Sequence, residues 1–161
     1  MDKPLAFERA ASFDAEALLR VQIAAFNNDA VIYPGVALGG PPGYDRIETV
    51  LADIAEEEYY KISYEGRIVG GIGLFEREPG HFHLDVLYVD PSYHNRGIGS
   101  QAMAFIEHTY PAQVWTLDTP TYAVRNQHFY EKFGYVKVGA RLEADGITLI
   151  EYEKHVRSDP P

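Results

Sequence analysis

Cysteine is absent from the 161-residue chain, which removes disulfides, thiolate metal sites and a cysteine nucleophile together. Basic residues are scarce: 14 Lys and Arg stand against 24 Asp and Glu, for a formal charge of −10 and a pI near 4.9. Phosphate backbones are held by clustered Lys and Arg, so no nucleic-acid partner is expected. The acidic balance serves solubility and weakly favours cationic ligands. The opening MDKPLAFERA lacks a basic segment followed by an apolar one, and no run approaches membrane-spanning length; a cytoplasmic chain without membrane contact is therefore expected. Two phosphate loops are also missing: neither Gly-x-x-x-x-Gly-Lys-Ser/Thr nor a Gly-x-Gly-x-x-Gly after a strand occurs.

What is present is a composition of 46% hydrophobic and 24% charged residues, that of a globular protein. The length suits one domain over residues 1–156 that buries roughly two-thirds of the surface exposed on unfolding. The last residues, Arg157 to Pro161, read as a frayed tail.

In order, Leu5 to Ala10 predicts a strand, and Ser12 and Asp14 offer N-caps to a helix with Ala15, Leu18, Leu19, Val21, Ala25 and Phe26 at helical spacing. Asn27 to Gly43 is too rich in Gly, Pro and Asn for a continuous helix or central strand. Long irregular loops often shape binding sites, so Asp29, Tyr33, Tyr44 and Asp45 are candidate linings of a substrate pocket; a plain surface connection is the alternative. Tyr44 to Glu57 predicts a second helix. Tyr59 to Tyr64 and Arg67 to Phe75 predict a hairpin turning at Glu65-Gly66, where Gly70, Gly71 and Gly73 suggest a bulge or a close backbone approach. Strands follow at His81 to Val89, Val114 to Asp118, Tyr135 to Arg141 and Ile147 to Val156, with helices at Gly99 to Thr109 and Val124 to Phe133. The third helix should turn Ala102, Phe105 and Ile106 inward, leaving Glu107 and His108 to solvent. Only the central strand–helix–strand needs a parallel crossover.

The chain is organised around LDVLYVDPSYHNRGIGSQAMAFI, Leu84 to Ile106: an apolar strand, a break at Asp90-Pro91, the polar turn His94-Asn95-Arg96-Gly97, then helical spacing. Such a turn delivers the unpaired amides of a first helical turn to one place, where an anion can bind. Gly97 and Gly99 let phosphate approach the main chain, and Arg96 adds charge. Taken alone, Gly-x-Gly is better read as an ordinary strand-to-helix turn.

The fuller pattern, Val-Asp-Pro-x-x-His-Asn-Arg-Gly-Ile-Gly, resembles the pyrophosphate-binding motif of the GNAT superfamily of acetyl-CoA-dependent N-acetyltransferases, with His94 in the place of the usual Gln or Arg. A second segment, Asn126-Gln-His-Phe-Tyr-Glu-Lys-Phe-Gly-Tyr135, resembles the family's Phe-Tyr-Glu-Lys-x-Gly-Phe/Tyr run. The resemblance covers most of the chain and is weakest before Tyr59. It implies an α+β or α/β fold: a GNAT-like mixed, centrally splayed β-sheet of about seven strands flanked by about four helices. It implies acetyl-CoA as cosubstrate, with the amides of Asn95, Arg96, Gly97, Ile98, Gly99 and Ser100 on the pyrophosphate, His94 beside them, and Leu87, Tyr88 and Val89 pairing with the pantetheine arm. Arg125 and Lys132 could also meet the phosphates. The family's Asn-x-x-Ala-x-x-Phe-Tyr is altered here. Ala123 stands at the Asn position and Asn126 at the Ala position, so Asn126 either contacts the cofactor from another turn or caps the helix.

By the same resemblance Tyr130 protonates the departing thiolate. A phenol of pKa about 10 can hold a proton at neutral pH and give it to a thiolate of pKa about 8.5; the alternative is an amphipathic core residue beside Phe129 and Phe133. An amine attacks only when unprotonated, so a base is needed, directly or through water. Family bases often lie eleven positions before the Gln or Arg of the motif, which here is His83. His81, His83 and Asp85 alternate onto one strand face, so Asp85 either orients His83 or is a separate base, while a polar trio at a strand end is the plainer reading. The trio does not suit a metal. His81 and Asp85 are ~13 Å apart along a strand, too far to share one ion at ~2 Å bonds. No metal cofactor is expected.

Without cysteine, the acyl group would pass directly from acetyl-CoA to a primary amine, most simply of a small molecule, in a monomer or homodimer. Two alternatives stand beside this. One is a protein acetyltransferase acting on N-termini or lysines. The other is an acyl-CoA-binding regulatory module without turnover.

Overall fold

A computed structural model describes residues 4–156; the expected C-terminal tail lies outside them. The elements are β1 (Leu5–Arg9), α1 (Ala15–Asn27), the one-turn α2 (Asp29–Ile32), α3 (Ile47–Glu56), β2 (Glu58–Tyr64), β3 (Arg67–Glu78), β4 (His81–Val89), α4 (Ile98–Thr109), β5 (Val114–Pro120), α5 (Val124–Lys132), β6 (Val136–Leu142) and β7 (Thr148–His155). The seven strands form one mixed sheet in the order β1-β2-β3-β4-β5-β7-β6, and four helices of nine or more residues accompany it. This is the fold class the sequence implied. Among the described residues no helix is long and apolar enough to cross a membrane.

Chain contacts divide into two compact units. The first runs to Leu74 and includes Val86–Tyr110; the second holds Phe75–Asp85 and the chain from Pro111. Strands β3 and β4 each contribute to both.

In the first unit Ala15, Leu18 and Val21 of α1 meet Val50 of α3, Tyr59 of β2 and Tyr88 of β4. The β2–β3 turn uses Glu65 and Gly66, both at positive φ (50° and 81°), the backbone a two-residue hairpin requires. Register then shifts between Ile62 and Ser63, which pair with Gly70 and Ile68 and leave Val69 as the bulged residue. The strand glycines have a steric cause. A Cβ on Gly70 would stand 2.4 Å from the Tyr88 carbonyl oxygen, and one on Gly71 2.3 Å from Tyr88 Oη. That hydroxyl is bonded to Tyr59 Oη at 2.7 Å in the interior. Helix α4 buries Ala102, Met103 and Ile106, and half-buried Phe105 stacks on Phe7 (4.9 Å) and meets Tyr60 edge-on (5.0 Å).

One cap differs from expectation, and two boundaries differ by three residues. Helix α1 begins one residue after Asp14, whose carboxylate caps nothing in the helix; it accepts from the Ala11 amide at 2.9 Å and pairs with Lys61 at 3.2 Å. Helix α3 starts at Ile47 because Tyr44 is held otherwise: its carbonyl accepts from Gln22 Nε2 and its hydroxyl donates to Asn27 Oδ1. Strand β3 runs three residues past Phe75 and turns into β4 through Gly80 at φ 81°.

In the second unit β5 pairs antiparallel with β7 along all seven of its residues, and β6 pairs antiparallel with β7. Strands β4 and β5 are parallel but share a ladder only over His81–His83 and Val114–Thr116. The core is Trp115, Leu117, Tyr135 and Tyr152, and the Tyr152 hydroxyl donates to Glu131 of α5 at 2.8 Å. Gly134 at φ 91° ends α5, and Gly146 at φ 87° turns β6 into β7.

Candidate active site

In the first unit the chain leaves β4 through a built turn. Asp90 Oδ1 accepts from the Ser92 amide at 2.9 Å, Pro91–Tyr93 forms a 3-10 turn, and Asn95 (φ 64°) and Gly97 (φ 75°) take left-handed backbone on either side of Arg96. Helix α4 then begins at Ile98, and the Gln101 amide is the one that bonds back to Gly97 O, at 3.1 Å. Amides of Ile98, Gly99 and Ser100 precede it in the first turn, where a helix offers them no acceptor. Apart from its chain neighbours, no atom lies within 4 Å of where a Cβ on Gly97 would stand. Arg96 sits over the Tyr93 ring at 4.9 Å and near Tyr64 at 6.0 Å, contacts that steady a guanidinium beside the helix mouth. Open space, free amides and a placed cation suit a diphosphate, so these residues fit the cosubstrate the motif implies.

Other candidates around the loop differ in what they can offer. His94 Nε2 donates to the Val89 carbonyl at 2.9 Å, so its ring braces the turn. Ile98 and Tyr88 are buried, which leaves only their main chain for a ligand. Leu87 and Val89 are half-buried, beyond the point where the β4–β5 ladder ends.

In the second unit His83 is buried at 5% exposure. Parallel pairing sets Thr116 opposite it, and the Thr116 hydroxyl lies 2.7 Å from His83 Nδ1. Asp118, two residues on and so on the same face, places Oδ2 3.9 Å from His83 Nε2. Arg141 of β6 donates to that same Asp118 oxygen at 2.9 Å. Phe75 lies against the imidazole, ring centroids 5.3 Å apart. Burial, with Arg77 and Arg141 opposing Asp118 and Asp85, holds the histidine below its usual pKa of 6.5. It is therefore neutral at pH 7. Asp85 is exposed, and the carboxylate beside His83 Nε2 is Asp118. His81 turns to Glu78, Nδ1 to Oε1 3.4 Å, while Asp85 contributes charge to the surroundings of His83.

Tyr130 is buried on α5 against Phe129 (5.2 Å) and Tyr135 (6.0 Å). Burial pushes its phenol up to about 12. Ala123 is the N-cap residue of α5. Asn126 stands inside the helix with Nδ2 3.4 Å from Thr119 Oγ1, so it does not cap the helix. Buried Gln127 ties α5 to the end of β5 by donating to the Thr121 carbonyl at 2.9 Å. Of the expected pocket linings, Tyr33 is buried, Asp29 and Tyr44 are half-buried, and Asp45 is exposed.

Thr116, Asp118, Arg141 and Gln127 are absent from the sequence reading. Only one local signal points to any of them: Thr116 and Asp118 are polar at alternate positions of β5, beside apolar Val114, Trp115 and Leu117.

Comparison with known proteins identifies the family. The acetyltransferase (GNAT) domain family matches residues 44–156. The chain is 41% identical over 103 residues to uncharacterized protein YrkN of Bacillus subtilis (strain 168), covering 63% of this chain and spanning only 50% of that protein. It is 26% identical over 166 residues to S-(2-succino)cysteine N-acetyltransferase of the same organism, covering 96% of each. Its fold matches PaiA N-acetyltransferase from Thermoplasma acidophilum, solved in complex with coenzyme A, with a TM-score of 0.72 at 17% identity over 96% of this chain and 100% of that one. A helix mouth open to a diphosphate, the Phe-Tyr-Glu-Lys helix and a family match over most of the sequence converge: the chain belongs to the GNAT acetyltransferase family.

Proposed function

We propose that residues 1–156 act as one cytoplasmic catalytic domain that transfers acetyl from acetyl-CoA to the primary amine of a small molecule by direct attack. The observation that carries this reading is the turn before α4, where first-turn amides and Arg96 border the open space at Gly97. Full-length likeness to an enzyme named for S-(2-succino)cysteine supports a small acceptor. In this reading the main chain of Asn95–Ser100 and Arg96 hold the diphosphate, His94 shapes their loop, and the main chain of Leu87–Val89 pairs with the pantetheine arm. Asn126 serves the cosubstrate side, while Asp29, Tyr33 and Tyr44 serve the acceptor.

Acetyl-CoA supplies an activated acyl group whose thiolate leaves. His83 is bonded through Nδ1 to the Thr116 hydroxyl and held below its usual pKa by burial; in this reading Nδ1 carries the proton and the Nε2 lone pair takes the amine's proton. Tyr130 keeps its own proton until the thiolate departs. In water, phenol and thiol differ by about 1.5 pKa units, or roughly 2 kcal/mol. Burial raises both anions in the same direction, so the transfer need not become harder inside the protein.

The test is thiol release from acetyl-CoA with S-(2-succino)cysteine, spermidine, free lysine and an N-terminal peptide as acceptors. Turnover greatest with a small amine is the expected result. Turnover confined to the peptide would favour a protein acetyltransferase, and thermal stabilisation by CoA without turnover would favour a binding module. Neither stabilisation nor turnover would remove the reading altogether.

A further inference from the structure

The surroundings of His83 hold more charge than a lone base requires, and that charge is arranged. Asp118 Oδ2 is shared, lying 2.9 Å from Arg141 Nη2 and 3.9 Å from His83 Nε2. Arg141 is fixed in turn by Glu143, Nε to Oε1 2.6 Å, and by Glu151, Nη1 to Oε2 3.9 Å. Every residue of β6 is exposed, so Arg141 has no core to fill; its contacts are these three carboxylates. We propose that Asp118, clamped by Arg141, is a positioning residue that acts through His83 by providing the counter-charge when His83 Nε2 accepts a proton. This rests on the reading of His83 as the base.

The geometry supports this division of labour. Thr116 occupies Nδ1, which leaves Nε2 as the nitrogen that exchanges a proton. At 3.9 Å the carboxylate is too distant to bond neutral Nε2, but it is near enough to favour the charged ring. The proton moves from the amine to Nε2, and its electron pair stays on the amine nitrogen; no other bond changes at His83. Arg141 limits the effect of Asp118 by taking the same oxygen, so the ring stays neutral until it is needed. The charged groups facing His83 are Arg77 from β3, Asp85 from β4, Asp118 from β5 and Arg141 from β6. Only the last two are bonded to each other, and they push the histidine in opposite directions.

That opposition gives a readout that packing alone would not produce. The His83 ring is titrated by NMR in the full chain without acetyl-CoA, and kcat/KM is followed against pH for the same variants. Asp118→Asn should lower the His83 midpoint by about half a unit or more, and Arg141→Gln should raise it by a similar amount. Arg141→Lys, which keeps the charge, should return it close to the parent value. The acid limb of kcat/KM should shift with each midpoint, while KM for acetyl-CoA stays within about twofold. Midpoints that do not move, or that move the same way in Asp118→Asn and Arg141→Gln, overturn the proposal. His83→Gln separates this from the underlying reading: an unchanged kcat removes the base, whereas lost kcat with unmoved midpoints overturns the clamp alone.

Discussion

In the proposed reaction Tyr130 gives up one proton, and its burial decides when that proton is available. With its phenol pushed up to about 12, the residue stays protonated through pH 10, so it should impose no alkaline limb below that. Replacing it with Phe keeps the ring contacts to Phe129 and Tyr135 and deletes only the donor. Tyr130→Phe is expected to lower kcat roughly 100-fold with little change in CoA affinity, read by steady-state kinetics beside a CoA binding titration. His83 works in the opposite sense. Burial holds it below its usual 6.5, and only the neutral ring accepts a proton, so the acid limb of kcat/KM should be centred below pH 6.5. A limb centred above pH 7 would contradict the direction of the shift.

Single elements set the shape of the site, and two of them can be tested. Helix α4 begins behind Gly97, whose φ of 75° costs a residue with a Cβ roughly 1–2 kcal/mol. A side chain there meets no protein atom, so it would project into the space assigned to the diphosphate. Gly97→Val should weaken CoA binding tenfold or more by isothermal titration, a larger loss than its effect on Tm would suggest. In strand β3 the limit is internal. A Cβ on Gly71 would fall 2.3 Å from Tyr88 Oη, which is bonded to Tyr59. Gly71→Ala should cost about 1–3 kcal/mol by urea unfolding, and Tyr88→Phe in that background should recover part of it. No recovery would mean that the strain lies in the backbone of β3.

At the scale of the whole molecule, buried tyrosines govern alkaline stability. Burial raises the pKa of Tyr59, Tyr88 and Tyr130 in the folded chain, against about 10 when unfolded. Above pH 10 the unfolded chain therefore binds fewer protons than the native one, and stability must fall as pH rises. It is fully present below the unfolded pKa and is lost through the folded values. Each such group contributes a slope of at most about 1.4 kcal/mol per pH unit. Tm should thus decline steeply from pH 10 upward, with tyrosinate absorbance from these residues appearing together with unfolding. Early titration of all tyrosines while the fold persists would contradict their burial.

The sequence by itself determined the order of elements and the turn before α4, because both are written locally. Alternation marks strands, helical spacing marks helices, and Val-Asp-Pro through Gly-Ile-Gly sets the turn before α4 within a dozen residues. The same locality explains why Leu5, His81 and Val89 fall at strand ends as expected. Tertiary structure alone decided what surrounds His83. Thr116 reaches it through a parallel pairing that periodicity does not register, and Arg141 reaches Asp118 across 23 positions of sequence. It also decided why Gly70 and Gly71 have no side chain: the atoms that forbid one belong to Tyr88, on another strand. Short-range patterns record which conformation a segment prefers. Which charge lies beside which ring depends on strand register, and that is fixed only when distant segments bury their faces together.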